Sequence, residues 1–278
     1  MIKKFAHLLD YEIPDELKCL VIATIVGETK EKVKLSIPMY ATGFPMLVNI
    51  SGDLPAFFLN DEIYEYKSRL VLAGQIYRTN IRFKINGVFE QIGVILHPTA
   101  PYYLFHKPGI QLINKWTGLA DVTKENTKEL EVSLSKCKSA VEQIELILGF
   151  LKDLLPARLP EIPWLEQSLM KIFQNNGKID QADLISSSGV SERHFRRIFK
   201  RVIGVPPKYF CKVIQLNTVF ELLNNSALDK IHHLALDCGY YDQSHFINDF
   251  NKLIGESPEN FLNGDHAYIK TYMGRRGV

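Results

Sequence analysis

The chain has 278 residues, room for about two domains, and its 46% hydrophobic and 23% charged content is that of an ordinary globular protein. No apolar run approaches the ~18 residues of a membrane helix, and the start, Met-Ile-Lys-Lys-Phe-Ala-His, lacks the apolar core of a secretory leader, so a cytoplasmic protein without a membrane partner is expected. The 4 cysteines, Cys19, Cys137, Cys211 and Cys238, form no Cys-x-x-Cys pair, which removes zinc-ribbon and thioredoxin chemistry, while a net charge of +2 leaves only its distribution to inform on nucleic acid.

Residues from about 20 to 110 read as β-rich. Leu47-Val48-Asn49-Ile50 runs into Ser51-Gly52-Asp53 as strand and turn, and Leu70 to Gly74 is a second strand. Ile81 to Ile85 alternates apolar and polar, Asn86-Gly87 follows, and Val88 to Leu96 continues as strand. Asn-Gly between such runs predicts a two-residue hairpin, because both turn residues tolerate positive φ. Short strands with turns point to a sandwich or small barrel. The aromatics Phe57, Phe58, Tyr64, Tyr66, Tyr77, Phe83, Phe89, Tyr102, Tyr103 and Phe105 belong mostly to its core, with a ligand pocket as the alternative. His97 and His106 have no partner at ligand spacing, so polar or capping roles are expected and no metal.

From about 120 to 155 the pattern turns helical. Leu130, Leu134, Cys137, Val141, Ile144 and Leu148 recur at three- and four-residue steps, predicting a helix over 128–155 that packs on its own barrel or on a second copy. Pro156, Pro160 and Pro163 mark a linker at 156–162. Beyond it, helices are predicted at 164–175, 181–187, 192–202, about 207–223, 229–237 and 242–252, with a short last one opened by Pro258. Ser191 is the expected N-cap of 192–202.

The last third contains a pattern that occurs twice. His194-Phe195, Phe199, Ile203-Gly204, Pro207 and Phe210 return as His245-Phe246, Phe250, Ile254-Gly255, Pro258 and Phe261, always at an offset of 51. One supersecondary unit has been built twice. On a helical wheel of ~100° per residue, Phe195, Ile198, Phe199, Val202 and Ile203 share one face, and Arg193, Arg196, Arg197, Lys200 and Arg201 project from the other. A short helix, a tight turn at Gly189 and a second helix with a basic free face is a helix-turn-helix pattern, which presents Arg and His to the major groove. A charged helix face is ordinarily just solvated, but five cations against a lone Glu192 in a duplicated unit favour nucleic acid.

The second copy keeps Phe246, Phe250, Leu253 and Ile254 as anchors. Its free face is Ser244, His245, Ile247, Asn248, Asn251 and Lys252, polar and nearly uncharged, with Asp242 and Asp249 nearby. Asn reads adenine bidentately and Ile meets a thymine methyl, so the first copy suits phosphate and guanine contacts and the second A·T-rich sequence.

Residues from about 164 to 264 resemble the DNA-binding domain of AraC/XylS-type transcription regulators. Gly189-Val190-Ser191-Glu192-Arg193-His194-Phe195-Arg196-Arg197-Ile198-Phe199-Lys200, Gly204-Val205-Pro206-Pro207, Ala235-Leu236-Asp237-Cys238-Gly239-Tyr240, Asp242-Gln243-Ser244-His245-Phe246 and Gly255-Glu256-Ser257-Pro258-Glu259-Asn260-Phe261 carry the resemblance. It implies an α+β chain. A β-rich sensor or dimerisation domain with trailing helices, often a cupin-like barrel, spans 1–155, and an all-α domain of two helix-turn-helix units joined by a long helix spans 163–278. It also implies recognition helices at Glu192–Arg201 and Gln243–Lys252. The DNA-contacting set is then Ser191, Arg193, His194, Arg196, Arg197, Lys200, Arg201, Gln243, Ser244, His245, Ile247, Asn248, Asn251 and Lys252. Double-stranded DNA is the implied partner, with RNA polymerase, a small-molecule effector and a second copy as further candidates; no cofactor and no catalytic residue is implied. The chain departs from the family's pattern at Asn248, where a basic residue is common, at Gln215-Leu216, where Arg-Leu is common, and at Val219, where Ala is usual. The alternative is a repair enzyme borrowing this module, which would need an activated thiol such as Cys211, near Lys208 and Lys212.

Overall fold

The computed structural model describes residues 6–64, 68–157, 159, 162–224, 235–236 and 238–263. Among the described residues ten strands come first: β1 (Ala6–Leu9), β2 (Val21–Glu28), β3 (Val33–Met39), β4 (Met46–Gly52), β5 (Ala56–Leu59), β6 (Glu62–Tyr64), β7 (Leu70–Ala73), β8 (Ile81–Gly87), β9 (Phe89–Leu96) and β10 (Trp116–Gly118). They form two facing antiparallel sheets, a six-stranded one ordered β1-β2-β9-β4-β7-β10 and a four-stranded one ordered β3-β8-β5-β6. The strands therefore begin earlier than the expected 20–110 region, and residues 97–111 hold a helix and a 3-10 turn instead.

The expected hairpin at Asn86-Gly87 does not form. β8 pairs with β3 and β5 in the smaller sheet, whereas β9 pairs with β2 and β4 in the larger. Gly87 has φ +145 and Asn86 is not in the left-handed region, so the chain crosses between sheets there instead of turning back in a type I′ turn. A Cβ on Gly87 would lie 2.1 Å from Asp53 Oδ2, so only glycine fits the crossing. Burial explains the separation. β8 alternates strictly between buried and exposed, as a strand with one solvated face does, while β9 is buried almost throughout because helices cover its other face.

The helical stripe after residue 120 folds as α2 (Leu119–Val122), α3 (Lys128–Lys136) and α4 (Ala140–Asp153), behind α1 (Ala100–Phe105). The helix expected over 128–155 is thus two helices. Cys137 is extended, and Ser139 starts α4 by accepting a hydrogen bond from the Glu142 amide at 3.2 Å. The apolar stripe lies on its own sheet: Leu130, Leu134, Ile144, Ile147, Leu148 and Leu151 join Val26, Leu47, Leu72 and Ile92 in one core, and Asn49 donates to Gln143 at 2.9 Å. Val141 remains exposed.

The helical part comprises α5 (Pro163–Gln174), α6 (Gln181–Ser186), α7 (Glu192–Ile203), α8 (Pro207–Asn224), α9 (Gln243–Ile254) and α10 (Pro258–Asn263). The helix expected at 229–237 lies largely outside the described residues, of which Ala235 and Leu236 are helical. Tyr66 also lies outside them. The core between the two sheets continues without interruption into the first helical unit, through Phe44, Phe173, Phe199 and Phe210. At one place the two parts touch backbone to backbone. A Cβ on Gly109, in the 3-10 turn after α1, would lie 2.3 Å from the Val202 carbonyl oxygen at the end of α7.

Candidate nucleic-acid interface

The first copy of the repeat builds a short helix, a left-handed turn and a longer helix, and the described residues of the second hold the same turn and longer helix. In the first, the Asp180 carboxylate caps α6 by accepting from the amides of Ala182 at 2.7 Å and Asp183 at 3.2 Å. The chain turns at Gly189, with φ +72, and Ser191 caps α7 through the His194 amide. In the second, the turn is at Gly239, and Asp242 caps α9 through the His245 amide at 2.7 Å. Ser191 is the expected cap, Asp242 stands at the repeat's offset from it, and the turn at Gly239 falls one residue short of that offset from Gly189; N-cap hydrogen bonds of this kind stabilise a helix by about 1 kcal/mol.

The anchor faces are buried as their spacing requires. Phe195, Phe199, Val202 and Ile203 are in the core, with Trp164 against Phe195 at 5.2 Å and Phe199 against Phe210 at 5.8 Å. In the second unit, Phe246, Phe250 and Phe261 pack on Phe220 of α8.

On the opposite face of α7, Ser191, Arg193, His194, Arg196, Arg197, Lys200 and Arg201 are all exposed. Arg196 is bound to Glu192 at 2.7 Å, a surface pair contributing a few tenths of a kcal/mol. The His194 ring rests 6.0 Å from Trp164, and Arg197 Nη2 lies 3.4 Å from its Nδ1. Among the described residues, Arg193, Arg197, Lys200 and Arg201 face solvent without a carboxylate within ion-pair distance. Lys200 and Arg201 also sit in the last turn of α7, where the helix dipole favours positive charge.

On α9, Gln243, Ser244, His245, Asn248, Asn251 and Lys252 are exposed, while Ile247 is half-buried and leans on the unit's core. Asp249 differs from the sequence reading. It occupies the position of Ile198 in the first copy and is buried, with its carboxylate 2.6 Å from Lys212 Nζ of α8. His245 Nε2 stands 3.4 Å from the same carboxylate, so this imidazole is shared between the free face and the interior. One exposed residue escaped the sequence reading. Tyr241, directly before the Asp242 cap, is 89% exposed. It corresponds to Val190 at the repeat's offset, and its aromatic character at that turn was the signal available.

The interior of the β-rich part holds a cavity of about 20 Å³, lined by Met39, Met46, Phe57, Phe83 and Trp116 with Gln91 as its polar group. Phe89, Tyr103 and Phe105 are core, whereas Tyr77 packs on Tyr209 and Phe58 stacks under Lys84. His97 Nδ1 lies 2.7 Å from Thr99 Oγ1, and burial lowers its pKa to about 4. His106 closes α1 with φ 52. Among the described residues no group of three or more His, Cys, Asp or Glu could hold a metal, and no helix is long and apolar enough to cross a membrane.

Residues 184–264 match a family described as a helix-turn-helix domain. The chain is 25% identical over 257 residues to the HTH-type transcriptional activator RhaS of Escherichia fergusonii, covering 85% of this chain and 87% of that one. Among solved structures it is similar to ToxT from Vibrio cholerae, at 13% identity and a TM-score of 0.49 over 86% of this chain and 97% of that one. A ToxT structure bound to (E)-4-(8-methylnaphthalen-1-yl)but-3-enoic acid aligns at 12% identity and a TM-score of 0.48, over 86% of this chain and 97% of that one.

Proposed function

We propose that this chain is an AraC/XylS-type transcription regulator by its C-terminal domain, whose residues 184–264 match a helix-turn-helix family, and that α7 and α9 enter successive major-groove faces of one duplex. The observation that carries this reading is the free face of α7: exposed cations at Arg193, Arg197, Lys200 and Arg201 on a helix whose other face is fully anchored. Phosphate neutralisation by such a face supplies affinity, and Arg at guanine supplies sequence preference. Ser191, His194 and Arg196 complete the contact set of α7. Gln243, Ser244, His245, Ile247, Asn248, Asn251 and Lys252 form that of α9, with Tyr241 beside its N-terminus. Residues 163–278 are assigned to DNA binding, 156–162 to a linker and 1–155 to a sensor and dimerisation domain.

The regulatory outcome we favour is transcription activation in the cytoplasm, with RNA polymerase as the further partner and a small effector held between the two sheets. A cavity of about 20 Å³ has room for about one water, so an effector must part the sheets to enter. The enzyme alternative gains no support from its thiol. Burial pushes Cys211 up to about 11, the reverse of activation.

Selection from a random duplex pool tests the reading. A defined motif should emerge, and its affinity should fall steeply with salt, roughly one log unit per log unit of salt for each phosphate contacted. Salt-independent binding, or no selected motif, overturns it.

A further inference from the structure

The connection between β3 and β4, residues 40–45, leaves the β-rich part and runs across both helix-turn-helix units. Phe44 stacks on Phe173 of α5 at 5.8 Å, within the first unit's scaffold. A Cβ on Gly43 would lie 2.9 Å from Ile214 and 3.4 Å from Phe210, so the loop presses its backbone onto α8. The Thr42 carbonyl accepts from Asn217 Nδ2 at 2.5 Å, further along the same helix. Tyr40 then reaches the second unit. It is 8% exposed and belongs to the same hydrophobic cluster as Leu216, Phe220, Phe246, Phe250 and Phe261. Its ring meets Phe261 edge-on at 6.0 Å, and its hydroxyl donates to Glu256 Oε1 at 3.3 Å. Glu256 directly follows Gly255, the residue that ends α9. Phe261 in turn touches Phe250 of α9 at 5.4 Å.

We infer that Tyr40 is a positioning residue for DNA recognition, an aromatic supplied by the sensor part that fixes where α9 sits relative to α7. In the chain, α7 and α9 are joined only through α8 and residues 225–242. The loop adds a second strut, with one foot on each unit. A helix held from two sides keeps a fixed distance and angle to its partner, and the distance between recognition helices sets the spacing of half-sites. Half-site spacing thereby becomes a property of the β-rich part as well as of α8. Burial gives the strut its strength, because a tyrosine ring packed in a cluster contributes far more than one exposed hydrogen bond.

The inference rests on the two-unit binding mode proposed above, and the test separates the two. Hydroxyl-radical footprinting would use the full chain on duplexes that the wild-type chain recovers from a random pool. With Tyr40→Ala, the groove face protected by α7 should persist, the α9 face should fade, and affinity should drop about tenfold. A pool reselected with this variant should accept half-sites shifted by one base pair. Tyr40→Phe keeps the ring against Phe261 and should restore footprint and spacing. An unchanged footprint and spacing for Tyr40→Ala overturns the inference. So does equal loss of both faces, which would mark a general folding defect. Failure of the wild-type chain to recover any duplex overturns the binding mode itself and the inference with it.

Discussion

Lys212 of α8 neutralises Asp249 of α9, ammonium to carboxylate at 2.6 Å, with the carboxylate almost wholly buried. The first copy has Ile198 at this position, packed on its core. Where the first copy makes an apolar scaffold contact, the second has an ion pair that ties α9 to the long helix α8. Lys212→Met leaves that carboxylate only the His245 imidazole and should destabilise the chain by about 2–4 kcal/mol, less than for a fully buried pair because Lys212 is partly exposed and His245 stays beside Asp249. The double variant Lys212→Met/Asp249→Leu should recover most of the loss. Denaturant unfolding of the single and double variants measures the coupling.

The two recognition helices should differ in how salt affects their variants. Arg197→Ala and Lys200→Ala should each weaken binding by about tenfold and lower the salt slope by about 1. Asn248→Ala should alter the selected bases at its own position and leave the slope unchanged. Titrations at several salt concentrations on one selected duplex decide between these patterns.

Gly109→Ala should separate the β-rich part from the end of α7. The added Cβ would sit 2.3 Å from the Val202 carbonyl oxygen and 2.7 Å from the Ile203 carbonyl carbon, and backbone cannot step aside as a flexible side chain does. A loss of roughly 2–4 kcal/mol is expected, since overpacking at backbone is among the costlier single changes. Thermal melting measures it, and a variant as stable as wild type would remove this contact from the account.

Stability should decline in mild acid through His97. Burial holds its folded-state pKa down at about 4, against 6.5 for an ordinary imidazole. Between these values the unfolded chain binds the proton and the folded chain does not, so stability falls as pH drops from about 6.5 toward 4 and is fully present above 6.5. At 1.4 kcal/mol per pH unit, the loss reaches roughly 3 kcal/mol at most. His97→Asn should flatten this limb in a series of melts from pH 7 to about 4.5.

The helical units were legible because their anchors are local. Phe195 and Phe199, like Phe246 and Phe250, recur at helical spacing beside strong caps, and a duplication repeats any signal it contains. The Asn86-Gly87 crossing was not legible, because a turn signal does not say whether the strands on either side share a sheet. The break before α4 had a signal that apolar periodicity overrode. Ser139 stands three residues before Glu142, whose Oε2 accepts from the Lys138 amide at 2.8 Å, but the stripe continues in phase from Leu134 to Ile144 and masks the stop. In the candidate interface, the exposed face of α7 followed from the wheel, whereas Asp249 looked like a surface residue because its partner Lys212 lies on another helix. Tyr40 had no local sign at all, since it completes a core more than 170 residues away in the chain.

The caps of the two recognition helices also differ, Ser191 on α7 and Asp242 on α9. At α7 the cap is a neutral hydroxyl and the first-turn Glu192 is paired with Arg196, whereas at α9 the cap itself is a carboxylate, which offsets the positive end of its helix and repels phosphate. In the proposed binding mode this gives the encounter an order in time. Long-range attraction captures DNA through the cationic α7, and α9 is seated afterwards, once the first contact has brought the groove within reach. Arrival is then governed by the first unit and residence by the second, so variants of α7 should change the association rate and variants of α9 the dissociation rate.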